Sequence, residues 1–165
     1  MSISELGSLG EFIGSIAVLA TLAYLAIQIR QGAQATRTAS ELHVTDMIVR
    51  WNASAAADRE YQRIWDSLAA QAEVSDEDKL HFIWKVGEYC LIAQGVFDQY
   101  ESRMVSERCW KNLERTVLGF IQFDFVAKWW ALRDANYSSA FYDHIDACAK
   151  RPNEWAPKSS TTWTQ

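Results

Sequence analysis

Proline is nearly absent from this sequence and glycine is scarce: two and seven among 165 residues, against eight tryptophans and seven phenylalanines. A chain this poor in backbone breakers and this rich in apolar mass is neither disordered nor of low complexity, and it favours helices. Cysteine is also sparse. Cys90, Cys109 and Cys148 are odd in number and widely spaced, which argues against a disulfide framework or a paired-cysteine metal knuckle and suits free thiols in a reducing compartment. Clusters of Lys and Arg are missing; with a net charge of -5 and a pI near 5.2, no nucleic-acid partner is expected. No repeat with a period of about 20 to 50 residues is visible, so solenoids and propellers are set aside.

What the chain does have is one long apolar run, Leu9 to Ile29, followed by Arg30. No charged side chain interrupts Phe12 to Ile27. At about 1.5 Å per residue, roughly 20 such residues cross a hydrocarbon core of about 30 Å, so the run is expected to be a transmembrane helix. A cleaved secretory signal fits less well. Met1 to Glu11 has no Lys or Arg, the run is long for a signal, and Arg30 precedes the small-residue triplet Ala33-Gln34-Ala35. Arg30, Arg37 and Arg50 follow the span and no basic residue precedes it, so the positive-inside rule predicts an external N-terminus and a cytoplasmic remainder in a bacterial inner membrane.

Around the helix circumference the run is uneven. Gly7, Gly10, Gly14, Ala17 and Thr21 recur at steps of three and four, forming a smooth stripe that Tyr24 and Gln28 continue; Phe12, Ile16, Leu19 and Ile27 lie opposite. Small residues let a second helix approach closely in lipid, so this stripe is the candidate surface for helix association, with other copies or with other membrane subunits. Glu11, Gln28 and Arg30 are the candidates for contact with water in an oligomeric pore or with lipid headgroups. For Glu11 the plainer role is a carboxylate at the positive end of the helix dipole.

The rest of the chain reads as all-α, a cytoplasmic helical bundle. The expected division is an anchor over 1–30, a polar exit segment over 31–38 in which Gly32 is a break or kink, a helical domain over 39–151 and a tail over 152–165. Leu42, Val44, Ile48, Trp51 and Ala55 define an amphipathic helix, and Tyr61, Ile64, Trp65 and Leu68 a second, short one. Ser75 with Asp78 forms a capping-box pattern before a long helix. That helix is apolar on two faces, Leu80, Trp84, Gly87, Leu91, Gln94, Phe97 and Met104 on one and Phe82, Val86, Tyr89, Ala93, Val96 and Tyr100 on the other, and is expected to lie centrally. Ser106, Asp124 and Ser138 or Ser139 are read as the caps of three further helices, and Pro152 as the stop.

Chemistry-bearing patterns are few. Asp78-x-x-His81 has a metal-like spacing, but a di-iron bundle needs two such copies and this chain has one, so no metal and no cofactor are expected. Asp143, His144 and Asp146 place a histidine among carboxylates without a nucleophile beside it in sequence, and are read as surface charge. No Gly-rich phosphate loop, HExxH or GxSxG is present, so no catalytic residue is assigned and the chain is read as non-enzymatic. Aromatic residues are plentiful; Trp84, Trp110, Trp129 and Trp130 are the candidates for lining an apolar pocket, against the plainer reading that they pack the core.

The opening LGEFIGSIAVLATLAYLAIQIRQ, the central GEYCLIAQGVFDQYESRMVSERCW and the later FDFVAKWWALRDANYSSAFYDHID together resemble a group of uncharacterised bacterial small membrane proteins. The resemblance spans most of the chain and implies an N-terminal span leading into an all-helical cytoplasmic part. It implies no activity and no site residues. The expected function is a non-enzymatic inner-membrane protein that self-assembles or serves as an accessory or scaffold subunit, with an oligomeric channel as a variant. The alternative is a soluble or peripheral helical module that binds an apolar ligand in an aromatic pocket.

Overall fold

The computed structural model describes residues 3–133 and 137–151. Six helices follow in order: α1 (Ile3–Ala57), α2 (Arg59–Ala69), α3 (Asp76–Glu101), α4 (Glu107–Ile121), α5 (Asp124–Leu132) and α6 (Ser139–Ala149); among the described residues there is no strand. Two compact units result, Met1–Ala39 and Ser40–Gln165. The expected tail over 152–165, with Pro152, lies outside the described residues.

The first unit is the N-terminal part of α1. Gly32 lies inside the helix and does not break it, which corrects the kink expected there. Glycine weakens a helix by only about 1 kcal/mol, and helix-compatible residues on both sides carry the hydrogen bonds across it. Ser15 and Thr21 turn their hydroxyls back onto the carbonyls of Glu11 and Ala17, both at 2.8 Å. Their polarity is thus satisfied within the helix. Phe12 is 63% exposed and Ile29 72% exposed, and the apolar residues between them are likewise uncovered. This helix is long and apolar enough to cross a membrane, and none of its apolar window is buried.

The second unit is built from the last turns of α1 with α2 to α6. Its part of α1 buries Val44, Trp51 and Ala55 on one stripe. The helix ends because Asp58 leaves helical geometry and caps α2, accepting the Tyr61 N–H at 3.0 Å, while Gln62 donates its side-chain amide to the Ala55 carbonyl. Ser75 and Asp78 form the capping box of α3, and Ser106 and Ser138 cap α4 and α6, as their positions predict. Asp124 does not cap α5. That position falls to Phe123, and Asp124 becomes the first helical residue, paired with Lys128 at 2.6 Å. Gln71 and Arg103 adopt left-handed φ values of 55° and 60° just past α2 and α3, closing each helix end with a paired turn.

Two aromatic nests make the core. One joins Trp51, Tyr61, Phe82, Tyr89 and Phe120, with Tyr61 stacked on Phe82 at 5.3 Å and Trp51 edge-on to Tyr89 at 4.9 Å. The other gathers Phe97, Trp110, Trp130, Phe141 and Tyr142. Helix α3 passes both and is touched by every other helix of the second unit, α2, α4 and α5 along its length, Trp51 of α1 at Tyr89 and Phe141 of α6 at Phe97, which is the central place expected for it. Phe82, Val86, Tyr89, Ala93 and Val96 are covered on one face; on the other Phe97 is buried, whereas Leu80, Trp84 and Leu91 are exposed, so that face is covered only in part.

Candidate functional site

Where α4 meets α6, three different metal- and proton-binding groups converge. Glu114 is the one buried charged side chain among the described residues, 6% exposed in a helix face otherwise made of Trp110, Leu113, Val117 and Leu118. Its Oε1 lies 2.6 Å from His144 Nε2 and accepts from the Cys148 thiol at 3.5 Å. Its other oxygen accepts from Lys111 Nζ at 2.6 Å. His144 and Cys148 are four residues apart on α6, so one helix face carries both, with Sγ and Nε2 3.7 Å apart. The imidazole packs on Phe97 and Trp110, at ring distances of 5.0 and 5.5 Å.

The electrostatics follow from burial and charge. Burial pushes the Glu114 carboxyl up, but hydrogen bonds from Lys111 and His144 outweigh it, so the group sits below its ordinary value of 4.5 and stays ionised. The Cys148 thiol is pushed up by burial and then by the Glu114 charge, so it stays protonated. The same Nε2 that faces Cys148 is engaged by Glu114. A relay needs the opposite ring nitrogen for its orienting acid, so these residues are not arranged as an activated nucleophile with its base.

The surface-charge reading of this region is thereby corrected. Asp143 is exposed, but His144 reaches the buried carboxylate, and Asp146 accepts from Trp130 Nε1 at 2.8 Å and pairs with Arg133 at 2.6 Å. The signal available in the sequence was the four-residue spacing of His144 and Cys148. Glu114, 30 residues away, carried none, because a glutamate among leucines and valines on α4 looks like the solvent side of that helix. His81 lies 3.1 Å from Asp58, the cap of α2, and Asp78 pairs with Arg63, so the metal-like spacing between them serves helix ends.

The other predicted residues are placed as follows. Gly7, Gly10, Gly14, Ala17 and Thr21 are exposed on α1, and a Cβ built on any of the three glycines meets open space. Glu11, Gln28 and Arg30 are exposed on the same helix. The four tryptophans differ in burial. Trp84 is 71% exposed, Trp110 is fully buried, and Trp129 and Trp130 touch each other at 6.3 Å; Phe141 links Trp110 with Trp130. A cavity of about 610 Å3 opens elsewhere, lined by Trp51, Tyr61, Trp65, Phe120 and Phe123 with Arg115 and Thr116.

Among the described residues the structure is all-helical, with one helix long and apolar enough to cross a membrane and a Glu-His-Cys cluster in which Glu114 and Cys148 are buried and His144 is partly so. Against known proteins, no family model, no curated protein and no solved structure matches the chain.

Proposed function

We propose that the chain is a non-enzymatic, single-span protein of the bacterial inner membrane, with its N-terminus outside and its bundle in the cytoplasm, acting as a self-assembling or accessory subunit. One observation carries this reading. Between Phe12 and Ile29, Phe12, Ile13, Ile16, Val18, Leu19, Leu22, Leu25, Ile27 and Ile29 all stand exposed on a regular helix. Removing these side chains from water is worth on the order of 10 kcal/mol, which a bilayer supplies and water does not. The stripe from Gly7 to Thr21 is free to receive a second helix, either from another copy or from another membrane subunit. Arrangement of several copies around Glu11, Gln28 and Arg30 as a conducting channel is the variant of this assembly.

Fractionation of cells producing the full chain, followed by gentle detergent extraction and native mass measurement, tests it. The expected result is a membrane-bound species larger than one chain that shrinks when Gly10 and Gly14 are both replaced by leucine. Recovery of the intact chain as a soluble monomer overturns the reading.

The cavity beside Trp51 and Tyr61 favours a second function, binding of an apolar ligand by a soluble or peripheral module. Tryptophan emission of the full chain titrated with long-chain fatty acids checks it. A saturable change that Trp65→Ala abolishes supports binding, and unchanged emission rejects it.

A further inference from the structure

The Glu114-His144-Cys148 cluster has more donor chemistry than a structural hydrogen bond between α4 and α6 requires. A Glu-His pair alone would satisfy the buried carboxylate, yet a thiol is brought to the same point from the next turn of α6, and all three donor atoms lie within 4.8 Å of one another. The geometry points to a site for one zinc-class divalent ion bound by Glu114 Oε1, His144 Nε2 and Cys148 Sγ.

The distances carry the assignment. A tetrahedral zinc about 2.3 Å from sulfur and about 2.0–2.2 Å from nitrogen and oxygen sets each sulfur edge near 3.6 Å and the nitrogen-oxygen edge near 3.4 Å. The two sulfur edges here measure 3.5 and 3.7 Å, so they fit without movement. The third edge is a 2.6 Å hydrogen bond and opens by about 0.8 Å when the proton between its atoms is replaced by an ion. A thiolate, an imidazole and a carboxylate form a mixed donor set of borderline softness, which suits zinc better than magnesium or calcium.

The surroundings fit the same ion. Lys111 holds the second oxygen of Glu114, leaving Oε1 as the single coordinating oxygen and fixing the carboxylate's rotation. His144 and Lys111 are partly exposed, so the ion enters from their side, and one coordination position is left for water. Binding removes the Cys148 proton to solvent and requires His144 to carry its single hydrogen on Nδ1. The two anionic ligands then balance the dication.

The test uses full-length, untagged protein in mild detergent, stripped with chelator under reducing conditions and titrated first with Co2+ and then with Zn2+. The expected result is one ion per chain, with a sulfur-to-cobalt charge-transfer band that Zn2+ bleaches. Cys148→Ser should abolish that band, and His144→Ala should weaken binding by more than the roughly 10–100-fold that loss of an outer partner causes. Lys111→Met should fall within that range. Cys90→Ala and Cys109→Ala should leave the band intact. Absence of the band in the parent protein, or its persistence in Cys148→Ser, overturns the site. Should the ligand variants lose helical signal, alkylation of the parent protein decides. Zn2+ should slow modification of Cys148 in proportion to occupancy and leave Cys109 unaffected; equal rates at Cys148 with and without Zn2+ overturn the assignment.

Discussion

The two parts of α1 share one backbone geometry and opposite side-chain patterning. From Phe12 to Ile29 apolar groups surround the axis and none is covered. From Ser40 to Ala57 Val44, Met47, Ile48, Trp51 and Ala55 form a stripe that joins the core, while Val49 and Leu42, the latter expected on that stripe, stay exposed. A stripe is what a helix needs against one protein face; a full sleeve is what it needs when the surroundings are apolar in every direction. The contrast separates a stretch that packs against one protein face from a stretch long and apolar enough to cross a membrane.

The largest expected effect comes from truncating like residues in the two regions. Ile145→Ala in the bundle should cost about 2–5 kcal/mol, because the neighbouring side chains close only part of the cavity, whereas Ile16→Ala should leave the unfolding of the bundle unchanged. Denaturant titration of both variants in detergent, followed by tryptophan emission, makes the comparison; equal losses would break it. A comparable effect of the other kind is expected from Leu19→Arg. A charge at the middle of a span costs about 2.5–3.5 kcal/mol, so the membrane-bound fraction should fall while the melting of the bundle stays as it was.

Smaller effects sharpen the picture within the bundle. Glu114→Ala leaves His144 and Lys111 without their buried partner and should cost about 1–3 kcal/mol. The pH dependence has a definite sign. Because the folded carboxyl lies below its ordinary value of 4.5, its contribution is complete above that value and is lost as pH falls through the lower folded value. Glu114→Gln should remove that part of the acid limb, which melting followed as the pH is lowered from neutral through and below the ordinary carboxylate range would reveal. Asp58→Ala removes the cap of α2 and should cost about 1 kcal/mol. Smallest and opposite in sign, Arg103→Gly should raise the melting temperature slightly, since a left-handed residue with a Cβ is disfavoured by about 1 kcal/mol and glycine is not.

How legible the chain was depended on the range of the interaction concerned. Ser75, Ser106 and Ser138 were readable as caps because a hydroxyl reaches the N–H three residues on and no other part of the molecule need be known. Asp124 misled because Phe123 supplied the turn without any side-chain cap. Gly32 misled because its cost is small against an otherwise uninterrupted helix. The second apolar face of α3 was legible only in part. Leu80, Trp84, Leu91 and Phe97 share the spacing of a buried face, yet only Phe97 is covered, because periodicity does not say how many neighbours will arrive along it.

By itself the sequence determined that this protein is helical, where most helices begin, and that one segment carries a long apolar run without charge from Phe12 to Ile27, because propensity, capping and periodicity act between residues at most a few turns apart. Only tertiary structure decided that Glu114 would meet His144 and Cys148, that Trp51 and Tyr61 would border a cavity, and that Trp110 would be fully buried. Those meetings join groups 30 or more residues apart in several cases, and they are set by which ridges of α3, α4 and α6 interlock, a property of packed surfaces that no single helix carries.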